Sequence, residues 1–150
     1  MRDALKRVEE MIAEANGDSD LLDRLLNEEF KKLQAYNRDW SNAFSYLMEF
    51  QNTGMKLERE GLLEEAAVQY EKAIEFGNSS DMFRMNHYSY SYERLAIVYR
   101  KLKMYGKEVS LINDALSREL SDSSRIKMNK RIERAKELFL KHEQKTCTIH

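Results

Sequence analysis

Two stretches of this 150-residue chain repeat one spacing of residue types. Phe50, Gly54, Leu57, Ala66, Tyr70 and Ala73 are separated by 4, 3, 9, 4 and 3 positions, and so are Tyr92, Ala96, Tyr99, Glu108, Ile112 and Ala115. Steps of three and four place each triplet on one helical face, and the step of nine carries the chain through a turn into a second helix. A small residue between two large ones marks a place where another helix crosses closely. Such a helix–turn–helix unit cannot bury its apolar face alone and must stack on neighbours.

The rest of the chain agrees with helices. Proline is absent, so nothing forces a break in the backbone ladder, and 34% of the residues are charged. No alternating strand pattern occurs. Apolar spacing predicts seven helices joined by short loops, which implies antiparallel neighbours. They fall near 2–15, 19–36, 39–60, 62–76, 81–102, 105–119 and 124–143. Asn16-Gly17 ends the first and Asp18 or Ser19 caps the second. Asn37-Arg38-Asp39 reads as a turn, and Gly77-Asn78-Ser79-Ser80 as the clearest loop.

Charge and cysteine content narrow the setting. The net charge of −1 disfavours a generally basic nucleic-acid binder, and the single cysteine excludes an internal disulfide and fits a cytoplasmic location. No apolar run reaches the ~18 residues of a membrane span, and the first residues lack a signal-peptide core. The charges are unevenly placed: residues 1–30 sum to −5 and residues 121–150 to +4.

The stretch Gly61-Leu62-Leu63-Glu64-Glu65-Ala66, followed by Tyr70-Glu71-Lys72-Ala73-Ile74, resembles the tetratricopeptide repeat family. Tyr92-x-x-Leu95-Ala96-x-x-Tyr99, with Tyr105 and Ala115, matches a second repeat. The resemblance implies an all-α, right-handed α–α superhelix with two such units and helical caps. The units would span 40–77 and 81–119, after an N-terminal hairpin at 1–36 that matches no repeat. A capping helix at 124–143 and a tail at 144–150 would follow. The spacing between units is 42, against 34 in the family, and the surplus is expected to lengthen the helix at 81–102. Glu108 stands where the family has a small residue, and Lys103 where glycine is common.

In that family the first helix of each repeat lines a concave groove. The resemblance places Met48, Gln51, Asn52, Met55, Glu58 and Arg59 there from the first unit. The second contributes Tyr90, Glu93, Arg94, Ile97, Arg100 and Lys101. Met55, Ile97 and Tyr90 would form an apolar floor, and Arg94, Arg100 and Lys101 would select a partner protein or peptide bearing acidic or carboxylate groups. The expected function is therefore a protein-interaction module acting as a scaffold, without catalysis. The alternative is a self-associating structural subunit, a homodimer or larger homo-oligomer joined through the 81–102 helix with its aromatics Phe83, Tyr88 and Tyr90, or by head-to-tail pairing of the acidic and basic ends.

Other chemistries find little support. Lys127, Lys130, Arg131 and Arg134 form a basic stripe on the last helix, but no nucleic-acid motif accompanies them. His142, Cys147 and His150 lack the four-ligand spacing of a zinc site. There is no Gly-rich phosphate loop, H-E-x-x-H pair or nucleophile elbow, so no enzyme, cofactor or metal is expected.

Overall fold

The computed structural model describes the backbone of residues 2–148 and the side chains of residues 3–145. These residues form six helices and no strand: α1 (Arg2–Ala15), α2 (Ser19–Arg59), α3 (Leu63–Ser79), α4 (Met85–Lys101), α5 (Tyr105–Leu116) and α6 (Asp122–Thr148). The chain is all-helical. It divides into two compact units, Met1–Phe44 and Ser45–His150.

Four local expectations change. The turn at Asn37-Arg38-Asp39 is absent, and α2 runs through it as one 41-residue helix, giving six helices in place of seven. None of the three residues is a helix breaker, each costing only a fraction of a kcal/mol. Tyr36, Trp40 and Phe44 meanwhile continue the i, i+4 spacing, with the Trp40 and Phe44 rings stacked at 5.0 Å. The loop at Gly77 is also absent, since α3 continues to Ser79. The extra spacing between repeats does not lengthen the next helix either, because the turn occupies 80–84 and α4 begins at Met85. At the far end α6 absorbs most of the expected tail and runs to Thr148. The side chain of Cys147 and all of His150 lie outside the described residues.

In the first unit α1 and the start of α2 form an antiparallel hairpin. Asn16 and Gly17 take left-handed backbone angles (φ 46° and 87°), and Asp18 Oδ1 accepts from the backbone N–H of Asp20 and Leu21 at 3.1 and 3.2 Å. This carboxylate satisfies two of the otherwise unpaired N–H groups at the start of α2. Arg7 and Glu29, almost equidistant from the turn in sequence, meet at 2.8 Å.

In the second unit ten of the twelve repeat positions lie in the core, and Phe50 and Leu57 are half-buried. Gly54, Ala66, Tyr70 and Ala73 are buried, as are Tyr92, Ala96, Tyr99, Glu108, Ile112 and Ala115. α3 packs on α4, α4 on α5, and α5 on α6. The small residues allow the close approaches. A Cβ at Gly54 would stand 2.8 Å from the Tyr70 ring, and one at Gly77 would stand 2.6 Å from the Tyr88 ring. Gly77 therefore serves helix packing instead of a loop. The two inter-helix turns correspond as well. Gly61 (φ 80°) and Lys103 (φ 60°), 42 positions apart, share the left-handed conformation although only one is glycine.

Candidate functional site

The second unit places residues from α2, α4 and α6 along one line of polar contacts, with α4 in the middle. Toward α2, Ser91 Oγ donates to Gln51 Oε1 at 2.9 Å, and Arg94 forms an ion pair with Glu58. Toward α6, Glu93 meets Lys127 at 3.6 Å, and Arg100 Nη2 donates to the Arg131 carbonyl at 3.1 Å. These are the helices from which the groove is expected, together with the capping helix. α3 and α5 supply the packing partners.

The residues expected to line the groove do not share one environment. Asn52, Tyr90 and Lys101 are exposed, while Met48, Gln51, Met55, Arg94, Ile97 and Arg100 are half-buried. Gln51 is held by Ser91, and its amide nitrogen also approaches Met48 Sδ at 4.0 Å. Met55 and Ile97 remain partly accessible, as an apolar floor requires.

The two arginines have internal partners. Arg94 bridges to Glu58 through two nitrogens, and the Tyr70 hydroxyl donates to the same carboxylate at 2.9 Å. Burial pushes the Glu58 carboxyl up, but the hydrogen bonds from Arg94 and Tyr70 and the charges of Arg94 and Lys101 outweigh it, holding it below its ordinary value. Arg100 reaches Glu108 at 2.9 Å, and Arg131 reaches the same carboxylate at 3.1 Å. Glu108 is fully buried, so its position in the repeat, where a small residue is usual, is filled by a charge held between two guanidiniums. One carboxylate between two arginines leaves a surplus positive charge there.

That surplus faces a cleft of about 310 Å³ lined by Glu93, Arg100, Lys127, Met128, Lys130, Arg131 and Arg134. The basic stripe of the last helix thus joins Arg100 at one place. Sequence reasoning missed this convergence because Glu108 and Arg131 lie 23 residues apart on different helices. The one signal was the misfit of Glu108 within its repeat.

The aromatic segment has a structural task. Phe83, Met85, Tyr88 and Tyr92 are buried, and Tyr90 alone among its aromatics is exposed. Asn78 links two of them: it donates to the Tyr92 hydroxyl at 2.9 Å and accepts from the Tyr88 hydroxyl at 2.7 Å. Tyr92 in turn donates to Asp114 at 2.5 Å. Burial first, and then the Asp114 carboxylate, pushes Tyr92 up to about 12. Burial and the Glu71 carboxylate, 2.6 Å away, push Tyr99 well above the usual tyrosine value. A homodimer through this helix is left with Tyr90 as its only aromatic contact.

Among the described residues no group of three or more His, Cys, Asp or Glu side chains is arranged to hold a metal ion. No helix of the described residues is long and apolar enough to cross a membrane. Comparison with family models, with curated proteins and with solved structures finds no match to this chain.

Proposed function

We propose that the second unit is a tetratricopeptide-like interaction module that binds a segment of another protein along the face made by α2, α4 and α6. The observation that carries this reading is the division of labour within the repeats. Ten of the twelve repeated positions are buried and Phe50 and Leu57 are half-buried, while Asn52, Tyr90 and Lys101 are exposed and Met55 and Ile97 partly open beside them in sequence register. A stacked-helix surface of this kind offers a preformed platform, so a partner segment pays little for reorganising it.

Charge selection belongs to a different set of residues from the one first expected. Arg94 and Arg100 are engaged by Glu58 and Glu108, so they orient the face. The cations left to meet an acidic segment include exposed Arg59, Lys101 and Lys130, with Lys127 only loosely paired. Reversing Arg94 or Arg100 would damage the fold and binding together. Lys101→Glu/Lys130→Glu changes exposed side chains, and, separately, Met55→Glu places a charge on the partly open apolar floor.

The test is selection from a random peptide library displayed on phage, using the full chain as bait. Acidic sequences with apolar anchors are expected to be enriched on the wild-type chain. Enrichment should fall at least tenfold on each variant while thermal unfolding is unchanged. No enrichment, or equal enrichment on all three proteins, overturns the proposal.

A further inference from the structure

The first unit carries an apolar surface of its own. Of its described residues only Ala15 is buried, whereas Leu5, Ile12, Leu26, Phe30 and Leu33 are 62%, 53%, 37%, 60% and 39% exposed. Tyr36 is exposed for a simpler reason, since it lies further from the turn than α1 extends.

Helical geometry puts the five on one side of the hairpin. At 100° per residue, the partly covered side of α1 is centred on Val8, Met11 and Ala15. Leu5 and Ile12 are rotated about 80° from that centre. On α2 the covered side is centred on Leu21, Leu22, Leu25 and Glu29, and Leu26, Phe30 and Leu33 are rotated about 90° in the same sense. For two antiparallel helices, rotations of the same sense turn both sets toward the same side of the pair. The hairpin therefore has one packed seam and one open apolar face.

We infer that this face pairs with the same face of a second copy of the chain, closing two hairpins into a four-helix bundle. Three observations select that occupant. The five side chains leave on the order of 500 Å² to be covered, more than half of the ~800 Å² that each partner gives to a standard interface. A unit of this size with one buried alanine lacks a core, and small units commonly gain one by oligomerising. The charges also permit self-pairing. Within about 60° of the face the charged residues are Glu9 and Asp23, the uncharged Asn37 lies on it beyond the reach of α1, and the amides Asn27 and Gln34 border it on α2. Like charges directly opposed across a two-fold axis would disfavour the pair, and this face has few.

The inference rests on the first unit and is independent of the peptide-binding reading of the second. Light scattering on the eluting full chain at on the order of 100 µM reads the mass directly, because association follows concentration. The expected result is twice the 17.8 kDa of one chain. Leu26→Glu/Phe30→Glu on α2 and Leu5→Glu/Ile12→Glu on α1 should each return it to 17.8 kDa with unchanged helicity by circular dichroism. Val68→Glu, at an apolar residue 44% exposed on α3, should leave the dimer intact. A monomeric wild-type chain overturns the inference, as does a dimer that survives both hairpin variants. Assembly that dissolves in about 1 M salt also overturns it, since that marks pairing of the acidic and basic ends.

Discussion

The two units treat burial in opposite ways. The hairpin leaves Phe30 and Leu5 about three-fifths exposed, whereas the repeats bury the carboxylate of Glu108 completely. Residue type explains neither. A two-helix unit has one seam, and a side chain turned 80–90° from it has nothing to lie against. In the second unit α5, which carries Glu108, packs against both α4 and α6, so even a charged residue there is enclosed and must find partners. Among the described residues no buried side-chain nitrogen or oxygen lacks one. Burial in this chain follows the number of helices around a position, and its chemistry has adapted to it.

The largest expected effect comes from removing the buried charge. Glu108→Ala leaves Arg100 and Arg131 facing each other without the carboxylate, and it should cost about 3 kcal/mol in urea unfolding. A change under ~1 kcal/mol would mean that the two units do not differ in how they tolerate substitution at such positions.

Next in size is the alkaline limit of the second unit. Tyr92 titrates near 12 in the folded chain, with Tyr99 also raised, against about 10 when unfolded. A folded value above the unfolded one gives stability that is complete below pH ~10 and lost as pH rises through the folded value. The unfolding free energy from urea titrations should therefore fall between pH ~10 and ~12, by about 2 kcal/mol through Tyr92 alone. Tyrosinate absorbance should rise with the same transition, and Tyr92→Phe should shrink the loss. A stability that is flat over this range would contradict the raised values.

Smaller again is Gly77→Ala. The added methyl would press on the Tyr88 ring from 2.6 Å, an overpacking penalty that outweighs the helical preference for alanine. A net loss of about 1 kcal/mol is expected in the same unfolding experiment. A gain would mean that the Tyr88 ring yields to the added methyl and that packing does not require glycine at this position.

Much of the fold was legible because it is local. The apolar steps of three and four located α1, and Asp18 marked the start of α2. The shared spacing picked out ten of the buried positions of the second unit before any contact was known. The misreadings have a common physical origin, since glycine and polar residues are ambiguous in isolation. Asn37-Arg38-Asp39 and Gly77-Asn78 resemble turns by composition. A helix nevertheless continues through each, stabilised by neighbouring ring contacts at Trp40 and Phe44 or by the Tyr88 ring that only a glycine admits.

The sequence by itself determined that the chain is helical, where most helices begin, and which small residues permit close crossings, because backbone propensity and side-chain period act within a few residues. Only the tertiary structure decided which charges are free. Arg94 and Arg100 look like ligand-binding groups along the helix, yet each meets a glutamate from elsewhere in the fold, at Glu58 and Glu108. It also decided which aromatics are spent, enclosing Tyr88 and Tyr92 while leaving Phe30 open. Solvation and pairing depend on what approaches across space, and a one-dimensional pattern holds the positions that must be filled without naming the neighbours that fill them.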